Sequence, residues 1–356
     1  LREAMDRFLA AVRLQGRNRL LYQGVCSQLA NLAASVGDDH VAVTLLASAS
    51  DIEEAVVADD LWLIGQKRLD LDAFIAAHGF HAPNVGDIAS RSWREDPEPV
   101  RRLLDEVAKA PRPAKRRHKV REDRDAAAAA LLASLPRSRR RLARILLRLA
   151  PATARSLQRT KSSFLIAQDV ARAAIRGLGG ELVAAGSLAR EDDAFYLLVE
   201  ELLQPSAGVG ELVARRKAQY EASVKVTLPM TWTGQPEPQP LDTNEPPSTS
   251  ELRGLGVSAG IVEGRVRVVR DPGEGSEVAL DDVLVCHTTD PSWVSLMTLA
   301  SALVIDIGGT ASHGAIVARE LGIPCVVGTG NGTRVLRTGE RVRVDGAAGT
   351  VQRLGG

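Results

Sequence analysis

The sequence predicts a multidomain protein, with a mainly α-helical N-terminal domain over residues 1–230 and an α/β domain over residues 252–356. Three observations predict this organisation. Apolar residues recur at helical spacing before residue 230, and a proline-rich stretch covers residues 231–251. After this stretch, short apolar runs of strand length alternate with glycines. The chain is therefore interpreted as helical domain, linker and α/β domain, in that order.

The N-terminal region has helical periodicity and no convincing alternation of the kind that strands show. Met5, Phe8, Leu9 and Val12 repeat at the spacing of one helix face. Six further runs predict helices: DIEEAVVADDLWLIG, PVRRLLDEVAKA, the alanine-rich run over residues 126–135, RSRRRLARILLRLA, SFLIAQDVARAAIRGLGGELVAAG and EDDAFYLLVEELL. A capping box from Ser50 to Glu53 is expected to open the first of them.

One of these runs, the basic helix over residues 137–148, has two interpretations. It can pack Leu142, Ile145, Leu146 and Leu149 into the helical core with its arginines in water, or it can lie on an anionic membrane surface. Packing into the core is favoured, because arginine and leucine alternating at helical spacing require no partner.

The linker, TWTGQPEPQPLDTNEPPSTSE, is rich in proline and almost free of aliphatic side chains. An extended tether of about twenty residues can span on the order of 60 Å. Such a tether would let the two domains take several orientations and bury little area against each other. A passive spacer has the same composition, so both interpretations of the linker remain open.

The α/β domain contains a pattern of strand, turn, short helix and strand. An apolar run over residues 302–307 precedes Gly308 and Gly309, which are expected to make a turn. Ser312 stands where a helix N-cap is expected, and Gly322 is a good C-cap. A second apolar strand follows directly.

This pattern places His313 in the first turn of the predicted helix. Free N–H groups and the positive end of the helix dipole would stabilise an anion carried there. The dipole also disfavours imidazolium, and a neutral imidazole nitrogen can attack a phosphoryl group. A capped helix whose first turn happens to contain a histidine remains the alternative.

Four segments in this domain closely resemble the phosphohistidine swivelling domain of the PEP-utilising enzymes, a family that includes phosphoenolpyruvate synthase, pyruvate phosphate dikinase and rifampicin phosphotransferase. They occur in the family's order: GVSAGIVEGRVRVV, DDVLVCHTTDPSW, GGTASHGAIVARELGIPCVVG and RVRVDGAAGTV. The resemblance implies a β/β/α swivelling domain in which His313 is the phosphorylated histidine.

The same resemblance implies roles for the residues around this histidine. Gly308, Gly309 and Ser312 would shape its loop. Arg319 would either neutralise phosphate charge or lie at the surface. Ala311 stands where some dikinases have a regulatory threonine, which excludes control by phosphorylation at that position.

The helical region also resembles this family, although more loosely. HGFHAPNVGDIASRSWREDP, residues 78–97, and EDDAFYLLVEEL are similar to parts of the acceptor-binding domain of rifampicin phosphotransferases. The chain has Phe80, His81 and Val85 where that family usually shows a histidine–arginine pair and a glutamate, which argues against the family's acceptor chemistry. His78 and His81 are interpreted as structural, as is His287 at the end of a strand.

These resemblances imply a phosphotransferase component. His313 would take a phosphoryl group from ATP, bound with Mg²⁺ at an ATP-grasp-type nucleotide-binding domain in a longer chain or a partner, and pass it to a small-molecule acceptor. The sequence has no P-loop and no acidic cluster with magnesium-ligand context, and its cysteines lack metal-ligand spacing. The alternative from a different class is a non-catalytic binding or regulatory module that retains a swivelling domain.

Composition restricts the partners and the compartment. A net charge of +1 and 3% aromatic residues give no case for nucleic acid or membrane binding. The three cysteines, Cys26, Cys286 and Cys325, lack disulfide spacing, which fits a reducing, cytoplasmic compartment. We expect neither a signal peptide nor a membrane span. A first residue other than methionine, Leu1, is compatible with a piece of a longer protein.

Overall fold

The computed structural model describes residues 2–36, 41, 44–45, 52–82, 84, 87–229, 232–240, 249–272, 278–310 and 312–354. Over these residues the N-terminal region is helical and the C-terminal region is a mixed sheet with helices. The predicted fold class is therefore confirmed. Among the described helices, none is long and apolar enough to cross a membrane.

Helices make up most of the described N-terminal region. Their bounds are α1 Arg2–Ala34, α2 Glu53–Gly65, α3 Leu71–His78, α4 Glu98–Lys109, α5 Pro113–Ser134, α6 Arg137–Ala184, α7 Val199–Leu203 and α8 Val209–Ser223, with a 3₁₀ helix at Glu191–Tyr196. Asp70 caps α3 by accepting a hydrogen bond of 2.6 Å from the backbone N–H of Ala73. Ile52 takes the N-cap position of α2, and Ser50 of the expected capping box lies outside the described residues.

Helix α6 differs from its prediction in length and in orientation. It joins two predicted helices and continues through Pro151, because the residues that follow this proline are mostly good helix formers. Its buried stripe contains Ala143 and Leu146, whereas Leu142, Ile145 and Leu149 are 47%, 46% and 43% exposed. The predicted core packing is therefore right for Leu146 and wrong for the other three, since small alanines let this helix approach its neighbours along a rotated face.

The C-terminal region contains one eight-stranded sheet. Its strands are β3 Glu251–Arg253, β4 Leu255–Ser258, β5 Ile261–Val268, β6 Val283–Cys286, β7 Ala302–Ile305, β8 Cys325–Val327, β9 Arg341–Asp345 and β10 Thr350–Arg353. Their order is β3-β10-β9-β5-β6-β7-β8-β4. The four strands from β5 to β8 pair in parallel, and the other pairs are antiparallel.

Among the described residues, three helices and a 3₁₀ helix accompany this sheet. The helices are α9 Val294–Leu299, α10 His313–Leu321 and α11 Gly332–Val335, and the 3₁₀ helix covers Pro291–Trp293. Helix α10 is the crossover between β7 and β8, which are parallel neighbours. A separate pair of short antiparallel strands, β1 Val226–Thr227 and β2 Gln239–Pro240, ends inside the predicted linker.

Packing divides the chain into two compact units. One contains residues 1–7 and 167–246, and the other contains residues 8–166 and 247–356. The borders of these units differ from the predicted domain boundaries at residues 230 and 251. The predicted division into domains stays a prediction. Residues 241–248 of the predicted linker lie outside the described residues.

Within the second unit, helices from the N-terminal region share a core with the α/β domain. Val57 and Leu61 of α2 belong to the same buried apolar cluster as Val294 and Met297 of α9, and all four are 0% exposed. The expectation that these regions bury little area against each other is therefore wrong for this arrangement. The physical reason is that α9 and α10 are also apolar on the side that faces away from the sheet, and burying that side against other helices removes it from water.

Candidate functional site

His313 is the first residue of helix α10, at the end of the crossover loop that follows β7. Ser312 occupies the N-cap position, as expected, and Gly322 ends the helix in the left-handed conformation with a φ of 67°. The Ser312 side chain makes no capping hydrogen bond, and its buried Oγ has no hydrogen-bond partner. The first N–H groups of a helix lack intrahelical acceptors, so this end of α10 favours an anion.

The His313 imidazole is held on both nitrogens. Its Nε2 lies 3.1 Å from Glu54 Oε1, and its Nδ1 lies 3.4 Å from Thr289 Oγ1. A carboxylate can only accept, so Nε2 carries the hydrogen and Nδ1 has the lone pair. The side chain is 15% exposed, and Glu54 is 1% exposed. The ring is therefore fixed in one orientation between α2 and the loop after β6.

A buried lysine completes this set of charged groups. The ammonium of Lys161, on α6, forms an ion pair with Glu54 Oε1, the same oxygen that contacts His313. The two side chains are 11% and 1% exposed. Glu54 Oε2 has no hydrogen-bond partner. One buried carboxylate thus connects the imidazole with an ammonium group.

Burial changes the proton affinities of both bases. It lowers the pKa of His313 well below its ordinary value, and the charge of Lys161 lowers it further, against the opposing effect of Asp290. Burial also lowers the pKa of Lys161 to about 7, although the carboxylates of Glu53 and Asp290 oppose this. The imidazole is therefore neutral and nucleophilic near neutral pH.

A cavity of about 190 Å³ opens beside the histidine. His313 and Lys161 line it together with polar and apolar side chains that include Gln15, Arg19, Asp290 and Phe164. A ligand in this cavity would contact the reactive ring and a cation at the same time.

The loop residues singled out from the sequence have unequal roles. A Cβ on Gly308 would lie 3.0 Å from Ser312 Oγ, whereas a Cβ on Gly309 would meet nothing within 4 Å. Arg319 is 1% exposed and donates to the carbonyls of Thr310, at 2.6 Å, and Val257, at 3.3 Å. Its interpretation as a surface residue is wrong, because the guanidinium is buried and its hydrogen bonds connect α10 with the backbone of the loop and of β4. Ala311 lies outside the described residues.

One glycine that was not singled out lies against the site. A Cβ on Gly314 would lie 2.3 Å from Ile305 Cδ1 and 2.7 Å from Thr289 Oγ1. Glycine therefore lets the first turn of α10 approach β7 and the loop that carries Thr289 without a shift of these two side chains.

Sequence reasoning missed Glu54, Lys161 and Thr289. Glu54 follows another glutamate in an ordinary amphipathic helix, and Lys161 lies in a helix with many basic residues. Neither carries a local signal, because their relation to His313 is a tertiary contact. His287 is 62% exposed, with Nδ1 3.6 Å from Asp306 Oδ2. His78 and His81, by contrast, lie close to Glu53.

Two family models match the chain. Residues 279–349 match the PEP-utilising enzyme mobile domain, and residues 4–158 match the rifampicin phosphotransferase fourth domain. The two matches cover the elements that bring His313, Glu54 and Thr289 together. They also confirm the resemblance seen in the sequence.

Several relatives share moderate sequence identity with part of the chain. A rifampicin phosphotransferase from a Streptomyces species is 37% identical over 63% of this chain and 26% of its own length. An uncharacterized protein of Mycobacterium tuberculosis is 41% identical over 51% of this chain and 21% of its own length. A probable phosphoenolpyruvate synthase of Methanothermobacter thermautotrophicus is 47% identical over 28% of this chain and 15% of its own length.

The chain therefore spans about a quarter or less of the length of these relatives. Among solved structures, Thermococcus kodakaraensis aconitase X is 24% identical over 30% of this chain and 98% of its own, with a TM-score of 0.25. Enzyme I is 15% identical over 92% of this chain and 79% of its own, with a TM-score of 0.24. These scores are too low to indicate a shared overall fold.

Proposed function

From the match of residues 279–349 to the mobile domain of the PEP-utilising enzymes, we propose that the chain is the acceptor side of a phosphotransferase. In this proposal His313 carries a phosphoryl group and delivers it to a small molecule bound in the adjacent cavity. The observation that carries the proposal is the arrangement of His313 at a helix N-terminus, hydrogen-bonded to a buried glutamate that is paired with Lys161.

The transfer step follows from this arrangement. A hydroxyl of the acceptor attacks the phosphorus of phosphorylated His313, so that an O–P bond forms and the N–P bond breaks. The phosphoryl group is carried on Nδ1, the nitrogen with the lone pair, and Nε2 keeps its hydrogen bonded to Glu54, so the imidazole leaves as a neutral ring. The hydroxyl proton passes to the carboxylate of Asp290, which borders the cavity. The product state is an Nε2–H donating to Glu54, which is the contact seen at 3.1 Å.

Two positive groups would stabilise the moving phosphoryl group. The N–H groups at the start of α10 and the ammonium of Lys161 both border the cavity. Because Lys161 is largely buried, its charge interacts more strongly than in bulk water with the negative charge that the transferred group carries. Lys161 would exchange its contact with Glu54 for one with the phosphoryl oxygens when His313 is phosphorylated.

The donor in this proposal is ATP with Mg²⁺ at an ATP-grasp-type domain outside this sequence. Within the described part of the chain, the one cluster with metal-ligand spacing is Glu53, His78 and His81. Two imidazoles and one carboxylate do not suit Mg²⁺, which prefers oxygen ligands and retained water. No step is therefore assigned to the metal on these residues.

The acceptor is proposed to be small. A volume of about 190 Å³ lies below the roughly 300–1,000 Å³ of typical pockets for drug-sized ligands. Phe80 and His81, where the rifampicin phosphotransferases usually have a histidine–arginine pair, are 9% and 1% exposed. The acceptor is thus inferred to be a compact hydroxyl compound, and the family's name does not identify it.

Phosphoramidate tests the proposal without a nucleotide-binding domain, because this reagent phosphorylates histidines directly. The wild-type chain should give an acid-labile, alkali-stable phosphohistidine signal in ³¹P NMR, assigned to His313 by mass spectrometry. His313→Ala should lose it. His287→Ala is the matched control, since it also removes a histidine beside a carboxylate, and it should retain the signal.

The same phosphorylated sample distinguishes the phosphotransferase hypothesis from the hypothesis of a non-catalytic binding or regulatory module. Phosphorylated wild-type chain should lose its phosphoryl group faster when small polyols or other hydroxyl compounds are screened, and Asp290→Asn should abolish this acceleration. Full labelling of His313→Ala would overturn the assignment of the carrier. Labelling of His313 without any accelerated transfer would favour the regulatory module.

A further inference from the structure

Three side chains near the start of α2 form a compact cluster that the transfer chemistry does not use. Glu53 is the first residue of α2, His78 is the last residue of α3, and His81 follows three residues later. One ligand atom from each, a carboxylate oxygen and two ring nitrogens, lies within 4.8 Å of the others. Such a set can converge on a single ion.

The buried imidazole of His81 has no hydrogen-bond partner among the described protein groups. The residue is 1% exposed, and neither of its ring nitrogens has a hydrogen-bond partner. Its Nε2 lies 3.3 Å from Glu53 Oε1, at ion-pair distance but without hydrogen-bond geometry. Buried polar groups normally have a partner, so an imidazole of this kind calls for a ligand.

The surrounding groups hold all three side chains in place. Asp60 Oδ2 lies 2.8 Å from His78 Nε2, and because a carboxylate only accepts, Nε2 carries the hydrogen and Nδ1 keeps the lone pair. Ser162 donates to Glu53 Oε2, which leaves Oε1 directed at His81. The His81 ring packs against Phe80 and Trp93, with ring centroids 4.6 Å and 5.1 Å away.

We propose that Glu53, His78 and His81 bind one divalent transition-metal ion, with Zn²⁺ as the best match. Two neutral imidazoles and one carboxylate are a ligand set that Zn²⁺ takes readily, and they leave a fourth position for water. A carboxylate that accepts from the second nitrogen of a ligating histidine, as Asp60 does, is a usual feature of such sites. Hard ions such as Mg²⁺ are disfavoured by the imidazoles.

The ion would join three segments that are separate in sequence. It would link α2, the end of α3 and the loop that continues to Trp93, whose backbone N–H already donates to the His81 carbonyl at 2.7 Å. Glu53 is directly followed by Glu54, so the ion would also fix the helix end that presents Glu54 to His313. The proposal itself does not depend on phosphoryl transfer.

The test is metal binding by the untagged full chain after removal of metal with a chelator. Zn²⁺ is titrated in competition with a chromophoric chelator, and Co²⁺ is titrated as a spectroscopic probe. We expect one equivalent of Zn²⁺, visible absorption of four-coordinate Co²⁺, and no effect of excess Mg²⁺. Zn²⁺ should also raise the melting temperature, because a ligand that binds the folded state stabilises it.

Variants connect this binding to the cluster. Glu53→Gln and His81→Ala should abolish the stoichiometric binding, and Asp60→Asn should weaken it by about 10- to 100-fold, since Asp60 only orients a ligand. His118→Ala is the matched control, because its exposed Nδ1 also lies 3.3 Å from a carboxylate, that of Glu122. This variant should bind Zn²⁺ like the wild type.

Two results would overturn the proposal: wild-type chain without one stoichiometric Zn²⁺, or Glu53→Gln with wild-type affinity. If His81→Ala does not fold, the near-isosteric Glu53→Gln decides the question through the melting shift with Zn²⁺. A shift that persists in Glu53→Gln would place the ion elsewhere. None of these outcomes affects the labelling of His313, so the two proposals fail separately.

Discussion

Removing the charge of Glu54 should destabilise the unit that contains the site, because Lys161 then loses its counter-ion. The two side chains are 1% and 11% exposed, so water cannot replace the lost partner. Glu54→Gln keeps the size of the side chain and changes only its charge. Breaking a buried ion pair on one side typically costs about 3–5 kcal/mol.

The chemistry of Lys161 gives an upper bound for this cost. If the variant avoids a buried ammonium by releasing the proton, the wild-type Lys161 pKa of about 7 sets the extra cost to about 1.4 kcal/mol for each pH unit below 7, or about 3 kcal/mol at pH 5. In the folded variant this pKa is lowered further, so below pH 7 the folded variant binds fewer protons than the folded wild type. The free energy of unfolding of the variant should therefore rise between pH 5 and 7 relative to that of the wild type, by at most about 1.4 kcal/mol for each pH unit.

Urea denaturation followed by tryptophan fluorescence measures this effect, since Trp93 and Trp293 are buried in the same unit. Lys161→Met in the Glu54→Gln background should recover much of the lost stability, because both charges are then removed. The reasoning is refuted if Glu54→Gln at pH 5 unfolds within about 1 kcal/mol of the wild type. It is equally refuted if the double variant is no more stable than Glu54→Gln.

The remaining predictions concern the loop and the histidine. Gly314→Ala should lower the free energy of unfolding by about 1–3 kcal/mol and slow the labelling of His313, because the new methyl group overlaps Ile305. Gly309→Ala should leave the melting temperature nearly unchanged, and equal effects of the two variants would contradict the packing. Arg319→Met should lower the free energy of unfolding in urea by about 1–3 kcal/mol, since two carbonyls lose their donor. An unchanged denaturation midpoint would show that these two hydrogen bonds do not stabilise the fold. Because the His313 pKa is lowered well below 6.5, its rate of labelling by phosphoramidate should stay constant as pH falls through 6.5; a loss of half the rate at or above that pH would contradict a neutral buried ring.

The sequence by itself determined the local structure around His313. A strand, two glycines, an N-cap serine and a terminal glycine specify one short helix, since each of these signals acts within a few residues. The same local character allowed the helical region and the α/β region to be distinguished. Four family motifs in order then identified the histidine, although the chemical role of His313 stays a prediction.

The partners of that histidine were decided only by tertiary structure. Glu54 and Lys161 are 259 and 152 positions away from His313, and no periodicity or cap connects residues at such separations. The buried face of α6 could not be read from the sequence either, because alanines as well as leucines can form the contact stripe. The burial of Arg319 and the convergence of Glu53, His78 and His81 likewise depend on how the segments pack. Local signals fix elements, whereas the charges and ligands that meet in a site depend on which faces those elements bury together.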